Sequence, residues 1–257
     1  MILRVKTQQN FSLIYEDEDL VVLNKKAGLA VAADRYDPEA PRLDLEAEKE
    51  LGPLYAVHRI DKDTSGLILY ARTENAQKKL SQAFEKRLVQ KTYHALVYGR
   101  PLWETLRVDM PLLPDADLRH RTAVNRKSGK PSVTDFTFLG QCGPFSWMEA
   151  KPLTGRTHQI RVHVTECGFP IVCDPLYGPA GQKSVRLSEL KRSWRGDPFE
   201  ERPLLSRLAL HAFRLAFDHP VTGTPLVFAA PYPKDLEAVR KQLAKLYKTD
   251  PLAHYEN

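Results

Sequence analysis

The amino-acid sequence predicts an α+β fold built around a largely antiparallel sheet. Apolar runs of strand length outnumber the helical patterns, and several of them are joined by short turns, as the strands of hairpins are. Strands and helices do not alternate along the chain, as they would in a βαβ protein with a parallel sheet. The 257 residues are enough to bury a real core, in one large domain or two small ones.

The first third of the chain is predicted to contain strands and two helices. In chain order the pattern predicts a lead-in (1–11), two strands around an acidic turn (13–15 and 20–23), a loop (34–44), a short helix (45–51) and a buried strand (66–71). A second helix follows Thr73, whose hydroxyl can cap it, because Ala76, Leu80 and Phe84 recur at helical spacing. Arg87 closes the last turn of this helix.

The rest of the chain is predicted to add strand pairs and a final amphipathic helix. In order, these elements are a strand (91–99), an irregular, basic, hairpin-like excursion (101–131), two paired strands (132–140 and 145–153), an insertion without a clear pattern (179–206), a closing hairpin (208–220 and 225–231) and a helix (235–247). We expect one domain over residues 12–233, followed by the helix and tail of residues 234–257.

Residues 154–168 are compatible with either a helix or a strand. Ile160, Val164 and Cys167 recur at helical spacing, and Thr157 could cap a helix at its start. Isoleucine and valine also favour strands. We prefer the helix.

The charge balance favours a polyanionic partner without identifying one. The chain has 38 Lys and Arg against 32 Asp and Glu, a net charge of +6, and its sequence pI is about 9.1. Basic residues cluster at 119–130 and at 183–195. A charge run taken alone is more often a solvated surface than a binding site.

The cysteines and the hydropathy pattern suggest a cytosolic protein. The three cysteines form no pair with metal-ligand spacing, so free thiols in a reducing compartment are expected. No apolar run approaches the ~18 residues that a membrane span needs, and the N-terminus has no signal-peptide core.

One short stretch, HRIDKDTSG at 58–66, combines an acid with several bases before a Thr-Ser-Gly turn. An aspartate in such a place most often caps a turn, and Asp63 fits that structural role. Asp61 gains a chemical role only if other functional groups meet it. The two best candidates are KTYHA at 91–95 and GRTHQIRVH at 155–163, which is dense in hydrogen-bond donors.

Other familiar sites fit the sequence poorly. A zinc site is disfavoured because His158 and His163 are five residues apart and would point away from each other on a helix. His158 is equally well explained as a buried, hydrogen-bonded imidazole. Ser65 lacks the G-x-S-x-G surroundings of a nucleophilic serine, and no glycine-rich phosphate-binding motif is present.

Five motifs in the same order resemble the pseudouridine synthases of the RluA type, from about Leu13 to Pro231. They are VHRIDKDTSGLILYA (57–71), KTYHALVYG (91–99), LTGRTHQIRVHV (153–164), PIVCDPLYG (170–178) and LHAFRLAFDHPVTG (210–223). The resemblance implies a mixed, mainly antiparallel sheet in two abutting halves, with the active site in the cleft between them. It also implies that a uridine in RNA is isomerised to pseudouridine, without a cofactor or a metal.

The resemblance assigns expected roles to individual residues. Asp61 matches the essential aspartate of HRxD, and Tyr93 matches the tyrosine of K-x-Y, whose ring packs on the target uracil. Arg161 matches the second arginine of GRxHQxR, which is expected to pair with Asp61. Arg59 matches an arginine that in some relatives helps to displace the base. We expect further contacts with the RNA from Arg119, Arg121, Arg126, Lys130, Arg156 and His158.

The chemistry explains why these residue types are needed together. Extruding a uridine from folded RNA costs a few kcal/mol, and stacking its base on an aromatic ring such as Tyr93 recovers ~1–3 kcal/mol. A carboxylate near C1′ or C6 can act as a nucleophile or stabilise charge. It must stay ionised in a dry pocket, and the Arg161 guanidinium favours the charged form.

The sequence departs from the family pattern in two places. Cys173 stands where glycine is usual, and the 179–206 stretch is longer than in compact relatives.

Two other functions are alternatives to RNA isomerisation. A non-catalytic RNA-binding protein would share the basic charge but has no use for a buried carboxylate. A small-molecule hydrolase using Asp61 and His158 would need no basic surface.

The partners expected from this resemblance are ribosomal or transfer RNA, without a membrane or a metal. We expect a monomer. Because the catalytic core begins near residue 12, we expect no N-terminal RNA-binding module of the S4 type, so target choice must come from the core and its loops.

Overall fold

The computed structural model describes residues 10–33 and 40–255. These residues form two compact units. The first contains the described residues up to Val89 together with Arg214–Pro231, and the second contains Gln90–Phe213 together with the described residues from Tyr232 onward. Most of the predicted lead-in and of the predicted loop at 34–44 lies outside the described residues. The predicted domain over 12–233 spans both units, and its boundaries stay a prediction.

The observed elements confirm the α+β class, with strands in the majority. The first part of the chain forms β1 (Phe11–Glu16), β2 (Leu20–Lys25), α1 (Leu43–Leu51), β3 (Tyr55–Ala56), β4 (Ser65–Ala71) and α2 (Glu74–Glu85). The central part forms β5 (Gln90–Tyr98), β6 (Thr105–Asp109), β7 (Leu112–Leu113), β8 (Ala123–Val124), β9 (Val133–Cys142), β10 (Phe145–Pro152), α3 (Gln159–Glu166) and α4 (Leu187–Leu190). The last part forms β11 (Leu210–Asp218), β12 (Pro225–Ala229), α5 (Lys234–Tyr247) and a 3-10 turn (Ala253–Tyr255).

The first unit is built on antiparallel strands around β4. Strand β2 pairs with β1 and with β4, and β3 also pairs with β4. The part of β11 that begins at Arg214 pairs with β12. All seven residues of β4 are buried, as its apolar sequence predicts. Helix α2 covers this core with Leu80, and the predicted Thr73 cap is confirmed, because its hydroxyl accepts the Ala76 N–H at 3.2 Å.

The second unit is an antiparallel sheet in the order β5-β10-β9-β6. Its core contains Trp147 and Met148 of β10, Val164 of α3 and Leu243 of α5. Beyond α5 the chain packs back on the sheet, where Pro251 lies so close to Gly140 that no side chain would fit there. Among the described residues, no helix has the length and apolarity that crossing a membrane requires.

Two details differ from the sequence prediction. Residues 101–131 are not irregular throughout, because β6 pairs along β9 and a short β7–β8 hairpin follows it. The helix preferred for 154–168 is confirmed, but Thr157 does not cap it. Helix α3 begins after His158, whose backbone is left-handed (φ 53°) and whose side chain makes no capping bond. The Gln159 side chain accepts the Arg156 N–H at 3.0 Å, a bond to the segment before the helix.

Candidate active site

Asp61 begins a tight turn that leads into the buried strand β4. Its carbonyl oxygen accepts the Thr64 N–H at 3.1 Å, and its side chain is half-buried. The carbonyl of Lys62, in the middle of this turn, accepts the Gly28 N–H at 2.9 Å. The turn is therefore fixed on both sides, so the Asp61 side chain is presented from a rigid backbone.

A buried lysine strengthens this support. Lys25 is only 1% exposed, and its ammonium donates to the carbonyls of Lys26 (2.9 Å), Leu29 (2.7 Å) and Lys62 (2.9 Å). Since a buried cation is costly unless its hydrogens are bonded, this contact orders both the 25–29 loop and the turn after Asp61. Sequence reasoning gave Lys25 no role.

The histidine of the HRID motif is structural. His58 Nε2 accepts the Leu69 N–H of β4 at 2.9 Å, so its proton lies on Nδ1. Its ring stacks on Phe84 of α2, with ring centroids 4.5 Å apart and planes inclined by 20°. His58 thereby fixes the segment that carries Arg59, which is exposed, and Asp61.

Tyr93 lies on β5, on the strand face that also carries Lys91. Side chains alternate along a strand, so Lys91 and Tyr93 share one face and His94 points to the other. The Lys91 ammonium donates to the Thr154 carbonyl at 3.1 Å, beside the glycine that begins the GRTHQIR motif. Burial lowers the pKa of Lys91 to about 8. The half-buried Tyr93 ring therefore belongs to the face that meets this motif.

The opposite face of β5 is closed by the C-terminal part of the chain. His94 is fully buried, its ring stacks on Phe213, and its Nδ1 bonds the Tyr232 hydroxyl. Burial is the main reason that its pKa is lowered to about 3. His94 is thus neutral at physiological pH and serves packing rather than proton transfer.

Arg161 forms a buried, bidentate ion pair within the second unit. It is 2% exposed, and its Nε and Nη2 donate to the two Asp174 carboxylate oxygens, each at 2.8 Å. Its guanidinium carbon lies 5.1 Å from the centre of the Tyr177 ring. Sequence reasoning missed Asp174 and Tyr177, although both lie in PIVCDPLYG. A buried arginine demands a buried acceptor, and that demand was the available signal.

The Asp174 carboxylate also accepts the hydrogen bonds that hold the turn after it. Its Oδ1 accepts the N–H groups of Leu176 (2.9 Å) and Tyr177 (3.1 Å), in addition to one bond from Arg161. The Tyr177 hydroxyl accepts the Thr122 N–H at 2.8 Å and bonds His158 Nδ1 at 2.9 Å. One network therefore joins α3, this turn and the end of the basic 119–130 segment.

The pairing of Asp61 with Arg161 stays a prediction. Asp61 and Arg59 belong to the first unit, whereas Tyr93 and Arg161 belong to the second. A guanidinium has five N–H donors, so two bonds to Asp174 do not exclude a second carboxylate.

The residues expected to contact RNA fall into two groups. Four are exposed: Arg119, Arg126, Lys130 and Arg156. Two are engaged within the second unit: Arg121 donates to Asp117 at 2.6 Å, and His158 bonds Tyr177. The exposed group can reach a phosphate without breaking an ion pair of the fold.

One cluster in the first unit has the residue types of a metal site but the bonding of a structural one. The ligand atoms of Asp17, Asp19 and His219 lie within 4.8 Å of one another. His219 Nδ1 accepts the N–H groups of Val221 (3.2 Å) and Thr222 (3.1 Å), so Nε2 carries the proton and donates to Asp17 at 3.1 Å. Neither ring nitrogen thus offers a lone pair to a metal.

Comparisons with known proteins agree with these motifs. Residues 19–166 match the family described as RNA pseudouridylate synthase. The ribosomal large subunit pseudouridine synthase C of Vibrio vulnificus is 37% identical over 90% of this chain and 69% of its own length. The ribosomal large subunit pseudouridine synthase D of Neisseria meningitidis serogroup B is 36% identical over 87% of this chain and 59% of its own length.

A solved structure supports the same assignment. Human RNA pseudouridylate synthase domain containing 1 is 26% identical to this chain, with a TM-score of 0.65, over 90% of this chain and 87% of the other. The match to the family covers more than half of the chain and includes Asp61, Tyr93 and Arg161. The chain therefore belongs to the RNA pseudouridylate synthase family and is an isomerase that converts uridine in RNA to pseudouridine.

Proposed function

We propose that this enzyme modifies a uridine of large-subunit ribosomal RNA, with Asp61, Tyr93 and Arg161 as its catalytic set. The target class is supported by relatives named as ribosomal large subunit pseudouridine synthases. The observation that carries the catalytic set is that all three residues lie in their motifs within the matched 19–166 segment. The rigid turn after Asp61 and the buried position of Arg161 agree with such roles.

The reaction rearranges bonds within one nucleotide. The N1–C1′ bond breaks and its electron pair leaves with uracil, so C1′ becomes electron-deficient. Asp61 either attacks as a nucleophile or stabilises this positive charge. After the base has turned over, C5 bonds to C1′, the proton of C5 is lost, and N1 takes up a proton. Nothing is added or removed overall.

Tyr93 and Arg161 complete the set in different ways. The Tyr93 ring stacks on the extruded uracil and recovers part of the unstacking cost, ~1–3 kcal/mol. The Arg161 guanidinium, held in place by Asp174, provides positive charge that keeps the Asp61 carboxylate ionised. The exposed basic residues of the 119–130 segment hold the RNA backbone.

The Asp61→Asn variant tests the chemistry, because it removes the charge and keeps the shape. RNA labelled with tritium at C5 of uridine releases its label when the C5–C1′ bond forms. We expect the variant to lose activity by roughly 10⁴- to 10⁶-fold, the range seen when single catalytic residues are removed. RNA affinity, measured by fluorescence anisotropy, should be nearly unchanged. A normal rate of tritium release would disprove the role of Asp61.

The target class is tested separately. Transcripts of large-subunit ribosomal RNA and a pool of transfer RNA are each incubated with the wild-type enzyme. We expect tritium release from the ribosomal transcripts. Release from transfer RNA alone would refute the ribosomal target and would leave the reaction assignment intact.

A further inference from the structure

We propose that Leu118, which directly precedes the basic 119–130 segment, is an apolar wedge that inserts between stacked bases of the RNA substrate. This inference rests on the proposed function. Leu118 is fully exposed, with a relative accessibility of 101%. A single exposed leucine needs no explanation by itself, so the argument depends on how the chain holds Leu118 and on what surrounds it.

The turn that carries Leu118, residues 115–121, is bonded to itself around one carboxylate. Asp117 Oδ1 accepts the N–H groups of Arg119 (3.0 Å) and Arg121 (3.1 Å), and its Oδ2 accepts the Arg121 Nε–H at 2.6 Å. Across the turn, the Ala116 N–H donates to the Arg121 carbonyl at 2.8 Å. The peptide groups on both sides of Leu118 are therefore fixed.

The same turn is anchored to the segment that follows Asp174. Arg119 Nη2 donates to the Pro175 carbonyl at 3.2 Å, and Arg121 Nη1 donates to the Leu176 carbonyl at 3.5 Å. Asp115 and His120 both have left-handed backbones, with φ of 52° and 55°. L-residues adopt this conformation only at a cost, so the chain stabilises a specific shape in which the leucine side chain is fully exposed.

The surroundings identify the partner as a polyanion with apolar faces. Exposed cations follow Leu118 in the sequence, from the next residue to the end of the basic segment: Arg119, Arg126, Lys127 and Lys130. Asp117, the carboxylate nearest in sequence, is already paired with Arg121. Phosphates would meet the cations, while the leucine that directly precedes them would meet base faces. Leucine is among the side chains that separate base steps when they insert.

A wedge has a distinct kinetic consequence. An inserted leucine offsets part of the free energy needed to unstack the target uridine. It therefore raises the reaction rate when the uridine lies in folded RNA and not when the RNA is already open. The test uses two RNAs with the same nucleotides around the target, one in a stable stem-loop and one redesigned to remain single-stranded. The kcat/KM for tritium release is measured on both.

We expect Leu118→Ala to lower kcat/KM on the stem-loop about tenfold, which corresponds to ~1.4 kcal/mol of lost unstacking assistance. On the single-stranded RNA it should match the wild type. Leu118→Met, which keeps an apolar side chain of similar size, should restore the stem-loop rate. Leu102→Ala is the matched control, because Leu102 is 99% exposed elsewhere in the same unit, and it should behave as the wild type on both RNAs.

The possible outcomes distinguish a failure of the wedge proposal from a failure of the proposed function. An equal loss on both RNAs would identify Leu118 as a general contact, and no loss on the stem-loop would remove it from recognition; either result overturns the wedge. If the wild-type enzyme released no tritium from either RNA, the proposed function itself would fail. Since both leucines are exposed, unfolding of the variants should be unchanged, and urea titration verifies this.

Discussion

At the scale of single residues, two cations of the second unit, the buried Arg161 and the half-buried Lys91, are stabilised differently. Arg161 has a carboxylate partner, Asp174, which receives two parallel hydrogen bonds. Lys91 donates to a neutral carbonyl, that of Thr154, and burial lowers its pKa to about 8. A carboxylate offsets the loss of hydration of a cation much better than a carbonyl does. The two residues should therefore respond differently to mutation and to pH.

The ion pair of Arg161 makes a prediction for stability. Removing the carboxylate in Asp174→Ala leaves a buried guanidinium without its partner, which should lower the free energy of unfolding by ~3–5 kcal/mol. The turn after residue 174 should loosen as well, because Leu176 and Tyr177 lose their acceptor. Urea unfolding followed by circular dichroism measures the change.

A second bidentate pair is the control. Arg207 binds Asp235 through Nε (2.6 Å) and Nη2 (2.8 Å), but the Asp235 side chain is 40% exposed. Since water can replace that partner, Asp235→Ala should cost only ~0.2–1 kcal/mol. Equal losses for the two variants would show that burial of the Arg161 pair is not what matters.

Lys91 makes a prediction for pH. Its pKa is about 8 in the folded state against a model-peptide value near 10.5, so the unfolded chain binds more protons between these values. The free energy of unfolding contributed by Lys91 must then rise as the pH increases from 8 to 10.5. The difference between wild type and Lys91→Met isolates this contribution, because the other titrating groups are common to both proteins.

Urea titrations at pH 7, 8, 9 and about 10 provide the measurement. The difference between the two proteins should be constant below about pH 8, where Lys91 is protonated in both states, and should then grow in favour of the wild type. A difference that stays flat across the whole range would mean that the Lys91 ammonium is hydrated in the folded protein.

Cys173 shows that a departure from a family pattern can be absorbed locally. Glycine is usual at this position, and Cys173 accordingly adopts a left-handed backbone, with φ of 56°. The side chain is buried beside the Leu205 carbonyl, at 3.8 Å from Sγ. Burial raises the pKa of its thiol to about 11, so it stays protonated and unreactive. A left-handed backbone is one that glycine adopts readily, so Cys173 takes up a conformation suited to glycine in the turn before Asp174.

At the scale of helices and strands, hydrophobic periodicity predicted the elements that pack within their own unit. The runs that became β4, β5, β10, α2 and α5 were all recognisable, because each buries one face or both against its own unit. Strand β6 was missed because its partner β9 lies about 30 residues away and its TLRVD sequence alternates only weakly. The Thr157 cap was wrong because α3 begins only after His158, so Thr157 does not stand at the position that caps it.

The residues of the candidate site also divide into those that the sequence predicted and those that it did not. The residues with chemical roles could be proposed from motifs, since Asp61, Tyr93 and Arg161 each stand in a recognisable one. The residues that hold them, such as Lys25 and His58, could not, because their bonds join segments that are separate in the chain: His58 bonds Leu69 and Lys25 bonds Lys62. Asp174 had only an indirect signal, the need of a buried Arg161 for an acceptor. Pairings of this kind depend on three-dimensional register, which a single sequence does not encode in an obvious way.

The basic hairpin around β7 and β8 makes a prediction of its own. A side chain at Gly129 would place its Cβ 2.4 Å from the Asn125 carbonyl oxygen and 2.8 Å from the Pro111 carbonyl carbon, both backbone atoms. Because backbone cannot move aside cheaply, Gly129→Ala should lower the free energy of unfolding by ~1–3 kcal/mol. It should also weaken RNA binding, since Lys130 follows directly and pairs with Leu112 in the ladder.

Gly155→Ala is the matched control for stability. The nearest atom to its added Cβ would be the Lys91 ammonium, 3.9 Å away, and its φ lies outside the left-handed range. We expect a change of less than ~1 kcal/mol. If Gly129→Ala proved equally mild in urea titrations, the hairpin would have to be much softer than its hydrogen bonds indicate.

At the scale of the whole molecule, part of the net charge of +6 belongs to one exposed segment. Several of its exposed cations belong to the 119–130 segment, whereas α5 has its own acid–base pairs, such as Lys241 with Glu237 at 3.2 Å. A binding surface for RNA needs cations that are not already neutralised by neighbours. The overall charge thus favours RNA in general, and we propose that the 119–130 segment is where the phosphates bind.

This distribution predicts how salt affects binding. The logarithm of RNA affinity should fall linearly with the logarithm of salt concentration, by ~0.7–0.9 for each phosphate neutralised. Arg126→Ala should therefore make the slope shallower by about that amount and weaken binding on all RNA sequences alike.

Lys241→Ala is the control, because it removes the same charge from a side chain that is 73% exposed on α5. Its slope should equal that of the wild type. Anisotropy titrations between 50 and 300 mM salt, roughly the range where such slopes are resolved, compare the three proteins. Equal slopes for the two variants would mean that RNA responds only to total charge, and the 119–130 segment would lose its assignment as the phosphate-binding surface.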